Sequence, residues 1–96
     1  MRPLTLGASL DFRWNQWNIE HLAEHSVDPD EAEEVVRTAK RPYPRRIGED
    51  KLLVWGRGRG GRLLQIIFVA DEDGTAFVIH GRELTKGEKG LRRRKG

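Results

Sequence analysis

The sequence predicts an α+β domain in the order β-α-α-β-β-β-α, an antiparallel meander sheet with helices packed on one face. Three observations carry that reading. Leu63-Leu64-Gln65-Ile66-Ile67-Phe68-Val69-Ala70 is the longest apolar run in the chain, bounded by Gly61 and Asp71. Such a run reads as a strand covered on both faces, at the centre of a sheet. Shorter apolar runs flank it across glycine-bearing turns, Leu52-Leu53-Val54-Trp55 before and Ala76-Phe77-Val78-Ile79 after. Ahead of these, residues 15–39 repeat their apolar positions at helical spacing.

Residues 1–9 show no periodicity and are expected to form a flexible leader. Leu10 to Trp14 alternates apolar and polar, the pattern of a short half-buried strand. From Asn15 the period changes. Ile19, Leu22 and Ala23 make one stripe of a first helix that ends near His25, with Trp14 and Trp17 at its start. The second helix has Asp28 as N-cap, Pro29 at its first position and Glu31 at the third position of a capping box, with Val27 stapled onto Ala32. Ala32, Val35, Val36 and Ala39 form its apolar face, while Glu33, Glu34 and Arg37 point outward. Arg41-Pro42-Tyr43-Pro44 cannot continue a helix and reads as an extended connector. Arg45 to Asp50 adds a short strand and turn. Strands over Lys51 to Arg57, the central run and Thr75 to Arg82 follow, and the Asp-Gly step at Asp73-Gly74 favours a hairpin turn. Thr85 and Glu88 form a second capping box, opening a short helix that Gly87 and Gly90 weaken by about 1 kcal/mol each. Residues 92–96 are expected to be its frayed basic tail. Nothing divides residues 1–96, so one domain is expected.

Ninety-six residues suffice for a single modest core. No eighteen-residue apolar run is present, so no membrane span is expected, and the start lacks the pattern of a secretory signal. With no cysteine, disulfide and thiolate chemistry are excluded, and a cytoplasmic location is expected. The net charge of +3 hides an asymmetry. Residues 1–39 carry three basic and eight acidic side chains, a net of −5, whereas residues 40–96 carry fifteen basic and seven acidic, a net of +8. A charge segregated this way is either the footprint of a polyanion on the C-terminal half or a solvated basic surface.

Gly56-Arg57-Gly58-Arg59-Gly60-Gly61 spells a dinucleotide fingerprint, but a strand rather than a helix follows it, so no helix N-terminus meets a pyrophosphate. It reads instead as a hairpin turn from which Arg57, Arg59 and Arg62 project at one end of the sheet, where guanidinium groups can hold phosphates. Arg45, Arg46, Lys86, Lys89 and Arg92 are the further candidates for RNA phosphate contacts. His21 and His25, four apart, share a helix face. No third ligand at suitable spacing accompanies them, so no metal or cofactor is expected, and packing at the helix end and proton transfer are the alternatives. His80-Gly81-Arg82-Glu83-Leu84-Thr85-Lys86-Gly87-Glu88 joins the last strand to the capped helix. Glu88 is explained by the capping box alone, or, with His80, as a proton shuttle beside an Arg82 phosphate clamp. Metal-free RNA cleavage needs that kit: a base for the 2′-hydroxyl, a cation for the developing charge and an acid for the leaving oxygen. Tyr43 and Trp55 read first as packing residues and second as stacking platforms for a base.

Trp14-Asn15-Gln16-Trp17-Asn18-Ile19-Glu20-His21, then His25-Ser26-Val27 and Glu31-Ala32-Glu33-Glu34-Val35, resembles the N-terminal signature of the BrnT toxins. The later pieces agree: Gly56, Gly61-Arg62-Leu63-Leu64, and Val78-Ile79-His80-Gly81-Arg82-Glu83-Leu84-Thr85 with Glu88-Lys89. The likeness spans residues 10–93. It implies a RelE-like α+β fold and a small ribonuclease of a type II toxin–antitoxin pair. It also implies a BrnA-like ribbon-helix-helix antitoxin as partner, with a dimer or a hetero-oligomer as the assembly. Arg62, Arg82, Glu88 and His25 match recurrent polar positions of that pattern. Glu24-His25-Ser26 departs from its usual Lys-His-Gly, and Gly81 from its usual Ala. The expectation is a cytoplasmic toxin that cleaves RNA without metal, with Arg82 and Arg62 stabilising phosphate charge and Glu88, His80 or His25 moving protons. Its rivals are a nucleic-acid-binding module without catalysis and a protein that only docks the antitoxin. Hairpin geometry places Arg62 and Arg82 at the same end of the sheet, away from the acidic Asp71–Asp73 turn.

Overall fold

The computed structural model describes residues 10–95, with side chains through Arg92; of the expected leader and tail, residues 1–9 and Gly96 lie outside the described residues. The elements run β1 (Phe12–Arg13), α1 (Gln16–Ala23), α2 (Pro29–Arg37), β2 (Arg45–Arg46), β3 (Lys51–Arg57), β4 (Leu63–Ala70), β5 (Ala76–Glu83) and α3 (Lys86–Lys95). The order is the expected one. Helical backbone reaches Lys95, beyond the Arg92 at which fraying was expected.

All five strands join one sheet in the order β1-β5-β4-β3-β2, with the central apolar run at its centre. The β2–β3, β3–β4 and β4–β5 pairs are antiparallel, as hairpin connections require. The β1–β5 pair is parallel, with Phe12 opposite Ala76 and Arg13 opposite Phe77, so the sheet is mixed and not a pure antiparallel meander. No hairpin constrains β1, because two helices and three strands separate it from β5. It docks on the free edge of β5, where the Ala76 N–H donates to Asp11 O at 2.9 Å.

Asn18 holds that docking. Its side chain is fully buried, and Nδ2 donates to Arg13 O at 3.1 Å and Val78 O at 3.0 Å. Its Oδ1 accepts from Asn15 N at 2.7 Å, and Asn15 Oδ1 accepts from Asn18 N in return. This reciprocal cap starts α1 and ties three elements to one buried amide.

Two helices cover one face. Gly81 lies opposite Ile66 in the register, and a Cβ on it would stand 3.1 Å from Ile66 Cδ1 and 3.2 Å from Leu22 Cγ. Gly56 lies opposite Leu64, and its Cβ would stand 3.3 Å from Val35 Cγ1. Bare glycine backbone thus lets α1 and α2 settle onto the sheet. Leu22, Val35, Val36, Val54, Leu64, Ile66, Phe68 and Val78 fill the layer between, all fully buried.

The expectation that every helix lies on one face fails for α3. Its Glu88 grips Arg82, which lies opposite Gln65 in the register, as Gln65 lies opposite Trp55. Arg82, Gln65 and Trp55 alternate with Gly81, Ile66 and Val54, and so belong to the other face. That face is only half covered. Leu63, Ile67 and Val69 of β4 are partly exposed, so the central strand is sealed on one face, not on both.

Candidate nucleic-acid interface

Arg62 and Arg82 come to the same end of the sheet, as hairpin geometry predicts: Leu64 pairs with Glu83 and Gln65 with Arg82. The Asp71–Gly74 turn lies at the opposite end, where Asp71 pairs with Arg13 at 3.1 Å. Alternation nevertheless separates the two arginines, because Arg62 has the parity of Leu64 and Arg82 that of Gln65. They occupy opposite faces.

Arg62 turns toward the helices. Its guanidinium meets both Glu31 carboxylate oxygens, at 2.7 and 3.3 Å, and donates to Ser26 O at 2.7 Å. Glu31 therefore supplies half of the expected capping box. The Asp28 side chain accepts from Glu31 N at 2.9 Å, but the Glu31 carboxylate is drawn to Arg62 instead of to the cap.

Arg82 turns toward the open face. Its two terminal nitrogens meet Glu88 Oε1 and Oε2 at 2.8 and 2.9 Å, a bidentate pair. The expected Thr85–Glu88 box is complete, with Thr85 N donating to Glu88 Oε1 at 2.9 Å and Glu88 N to Thr85 Oγ1 at 3.2 Å. The Arg82 hydrogen bonds, followed by that from Thr85 N, hold the Glu88 carboxyl at a pKa of about 2. A group that stays ionised at neutral pH and binds protons so weakly positions Arg82; it is a poor proton shuttle.

The imidazoles do come together. His80 sits two residues before Arg82 on β5, and the His25 ring, from the turn after α1, meets it edge-on with centroids 5.8 Å apart. Burial lowers the His80 pKa below its ordinary 6.5, helped by the charges of Arg82, His25 and His21. His21 lies one turn back on α1, stacked on Trp17 at 4.9 Å, and Trp17 lies 6.0 Å from Phe77. The His21–His25 pair is visible in the sequence, but the meeting of His25 with β5 is not. The i, i+4, i+8 spacing of Trp17, His21 and His25 was the available signal.

The remaining basic candidates disperse. Lys89 pairs with Glu83 at 3.0 Å, Lys86 is exposed at the start of α3, and Arg59 is exposed at the β3–β4 turn. Arg45 and Arg46 lie on the far edge strand, opposite Leu53 and Leu52. Arg57 and Arg92 instead converge on a cavity of about 600 Å³ at the β3 side, lined also by Lys40, Arg41, Tyr43 and Trp55. Among the described residues no group of three or more His, Cys, Asp or Glu is placed to hold a metal ion. No helix among them is long and apolar enough to cross a membrane.

Compared with protein-family models, curated proteins and solved structures, the chain has no match.

Proposed function

We propose that the chain is a metal-independent endoribonuclease, working in the cytoplasm as the toxin of a type II toxin–antitoxin pair and neutralised by a small ribbon-helix-helix antitoxin. The observation that carries the catalytic reading is the His25–His80 contact, with His80 two residues before Arg82 on β5 and of the same strand parity. An imidazole kept neutral by burial can take the proton of a 2′-hydroxyl. The 2′-oxygen then attacks the adjacent phosphorus while Arg82, held in place by Glu88, faces the developing charge. As the bond from phosphorus to the 5′-oxygen breaks, a protonated His25 delivers its proton to that oxygen, leaving a 2′,3′-cyclic phosphate and a 5′-hydroxyl. Arg62, on the other face and saturated by Glu31 and Ser26, has a structural role in this scheme. The toxin role draws on the BrnT-like motifs, and the exposed Trp17 and Ile19 on α1 offer apolar surface for a protein partner.

Cleavage of RNA by the purified chain, with and without a chelator, tests the reading. Arg82→Ala and His80→Gln are each expected to slow cleavage on the order of 100-fold or more. The rate should fall on acidification below pH 6.5, as His80 takes up a proton. Intact RNA and normal growth on producing the wild-type chain without antitoxin would overturn it. The second reading, nucleic-acid binding without catalysis, is favoured by one observation: Arg82 already has its charge met by Glu88. Its signature is steeply salt-dependent binding with no products.

A further inference from the structure

The cavity on the β3 side gathers basic side chains with no carboxylate among them. Lys40, Arg41, Arg57 and Arg92 line it, no carboxylate does, and none of the four forms an ion pair among the described residues. By contrast Arg13, Arg37, Arg62, Arg82 and Lys89 are each matched by a carboxylate. Cations gathered without counter-charges raise the local potential and favour an anion. Two flat rings share the cavity: Tyr43 and Trp55 lie with centroids 6.2 Å apart and planes tilted by 32°. That spacing leaves no room for a base between the rings, so a base would stack on an outer ring face. Trp55 Nε1 donates to Gln65 Oε1 at 3.0 Å, and Arg57 Nη1 donates to Gly61 O, which fixes one ring and one guanidinium in advance.

We propose that this cavity is a nucleotide subsite, in which the Tyr43–Trp55 pair stacks a base and Arg57, Arg92, Lys40 and Arg41 hold its phosphate. The volume of about 600 Å³ suits a single nucleotide. An acidic peptide would use the cations but leave the rings without work, and so fits less well. The proposal rests on the RNA reading for its substrate and deepens it by adding a place where the strand is gripped. Trp55, Gln65 and Arg82 lie in one row across β3, β4 and β5, so two strand spacings, roughly 10 Å, separate the subsite from Arg82. A strand seated in the cavity leads toward the reactive end.

Calorimetric titration of the full chain with adenosine 5′-monophosphate is the test, with ribose 5-phosphate as the baseless control. The monophosphate is expected to bind, and ribose 5-phosphate at least fivefold more weakly, the loss of one stacked base. Arg57→Gln and Arg92→Gln should each weaken the monophosphate about tenfold. Arg92 lies on α3, outside the core, so its variant remains folded and informative even if Tyr43→Leu does not. Equal binding of the two ligands, no effect of either glutamine, or tighter binding of a hexaglutamate competitor would overturn the proposal. Cleavage is read separately. Binding that persists in Arg82→Ala while even the wild type fails to cut RNA sinks the nuclease reading and leaves the subsite standing. Cleavage without monophosphate binding does the reverse.

Discussion

Two arginine–carboxylate pairs end neighbouring strands of this sheet, and they are built for different work. Arg62–Glu31 joins β4 to the start of α2, and the same guanidinium reaches Ser26 O in the turn after α1. It therefore welds both helices to the sheet, with the Glu31 side chain only 10% exposed. Arg82–Glu88 joins residues six apart, at the end of β5 and the first turn of α3. It stabilises little beyond that junction, and it faces the half-covered side beside His80. Two partners of like chemistry, set one residue apart in strand parity, thus serve packing in one case and display in the other.

The sharpest break of the comparison is in stability. Arg62→Met strips Glu31 of its partner and leaves Ser26 O without a donor, which should cost about 2–3 kcal/mol. Arg82→Ala leaves Glu88 its capping bonds from Thr85 and should cost about 1 kcal/mol or less. Urea denaturation of the two variants checks the ranking. Equal losses would mean that the Arg82 pair is also a weld, and would weaken its assignment to display.

The reason this division was hard to read from sequence is instructive. The strands announced themselves by apolar runs: β3 and β4 span the expected residues, and α2 begins at the expected Asp28 and Pro29. The common end of Arg62 and Arg82 also follows from hairpin connectivity. Which face each occupies depends on register, and a one-residue slip reverses it. The β4–β5 pair has an irregularity between Ile67 and Phe68, which no residue pattern flagged. Glu31 was equally illegible: its spacing from Asp28 suits a capping box, and only the folded position of Arg62 reveals a stronger partner. The parallel docking of β1 hangs on the buried amide of Asn18, a residue type that usually reads as solvent-facing. The His25–His80 contact joins residues far apart in sequence, so spacing alone could not show it.

Acid titration sharpens the comparison from the other side. Glu88 has a folded pKa of about 2 against an ordinary 4.5, so its contribution is complete above 4.5 and lost as pH falls from 4.5 toward 2. Because the pair is partly exposed, the wild type should lose only about 1 kcal/mol more than Glu88→Gln over that window. Stability curves at pH 5 and pH 2.5 for the two proteins measure it. A difference that grows with rising acidity would reverse the sign and refute the ionised, positioning role of Glu88.

The smallest effect tests the third member of the Arg62 weld. Ser26 has φ 59, the left-handed region in which an L side chain is strained and glycine is not. The chain accepts this at the end of α1, where Val27 N donates to Leu22 O at 3.1 Å and the chain reverses into α2. What Arg62 uses is the Ser26 carbonyl, and glycine keeps it. Ser26→Gly should therefore retain the weld and relieve the strain, for a net gain of about 0.5 kcal/mol once the freer unfolded chain is counted. The gain should survive in an Arg82→Ala background and shrink in Arg62→Met, where the carbonyl has lost its donor. A double-mutant cycle by thermal denaturation reads both couplings. If the gain couples to Arg82 instead, the two faces of the sheet are not independent, and the separation of weld from display fails.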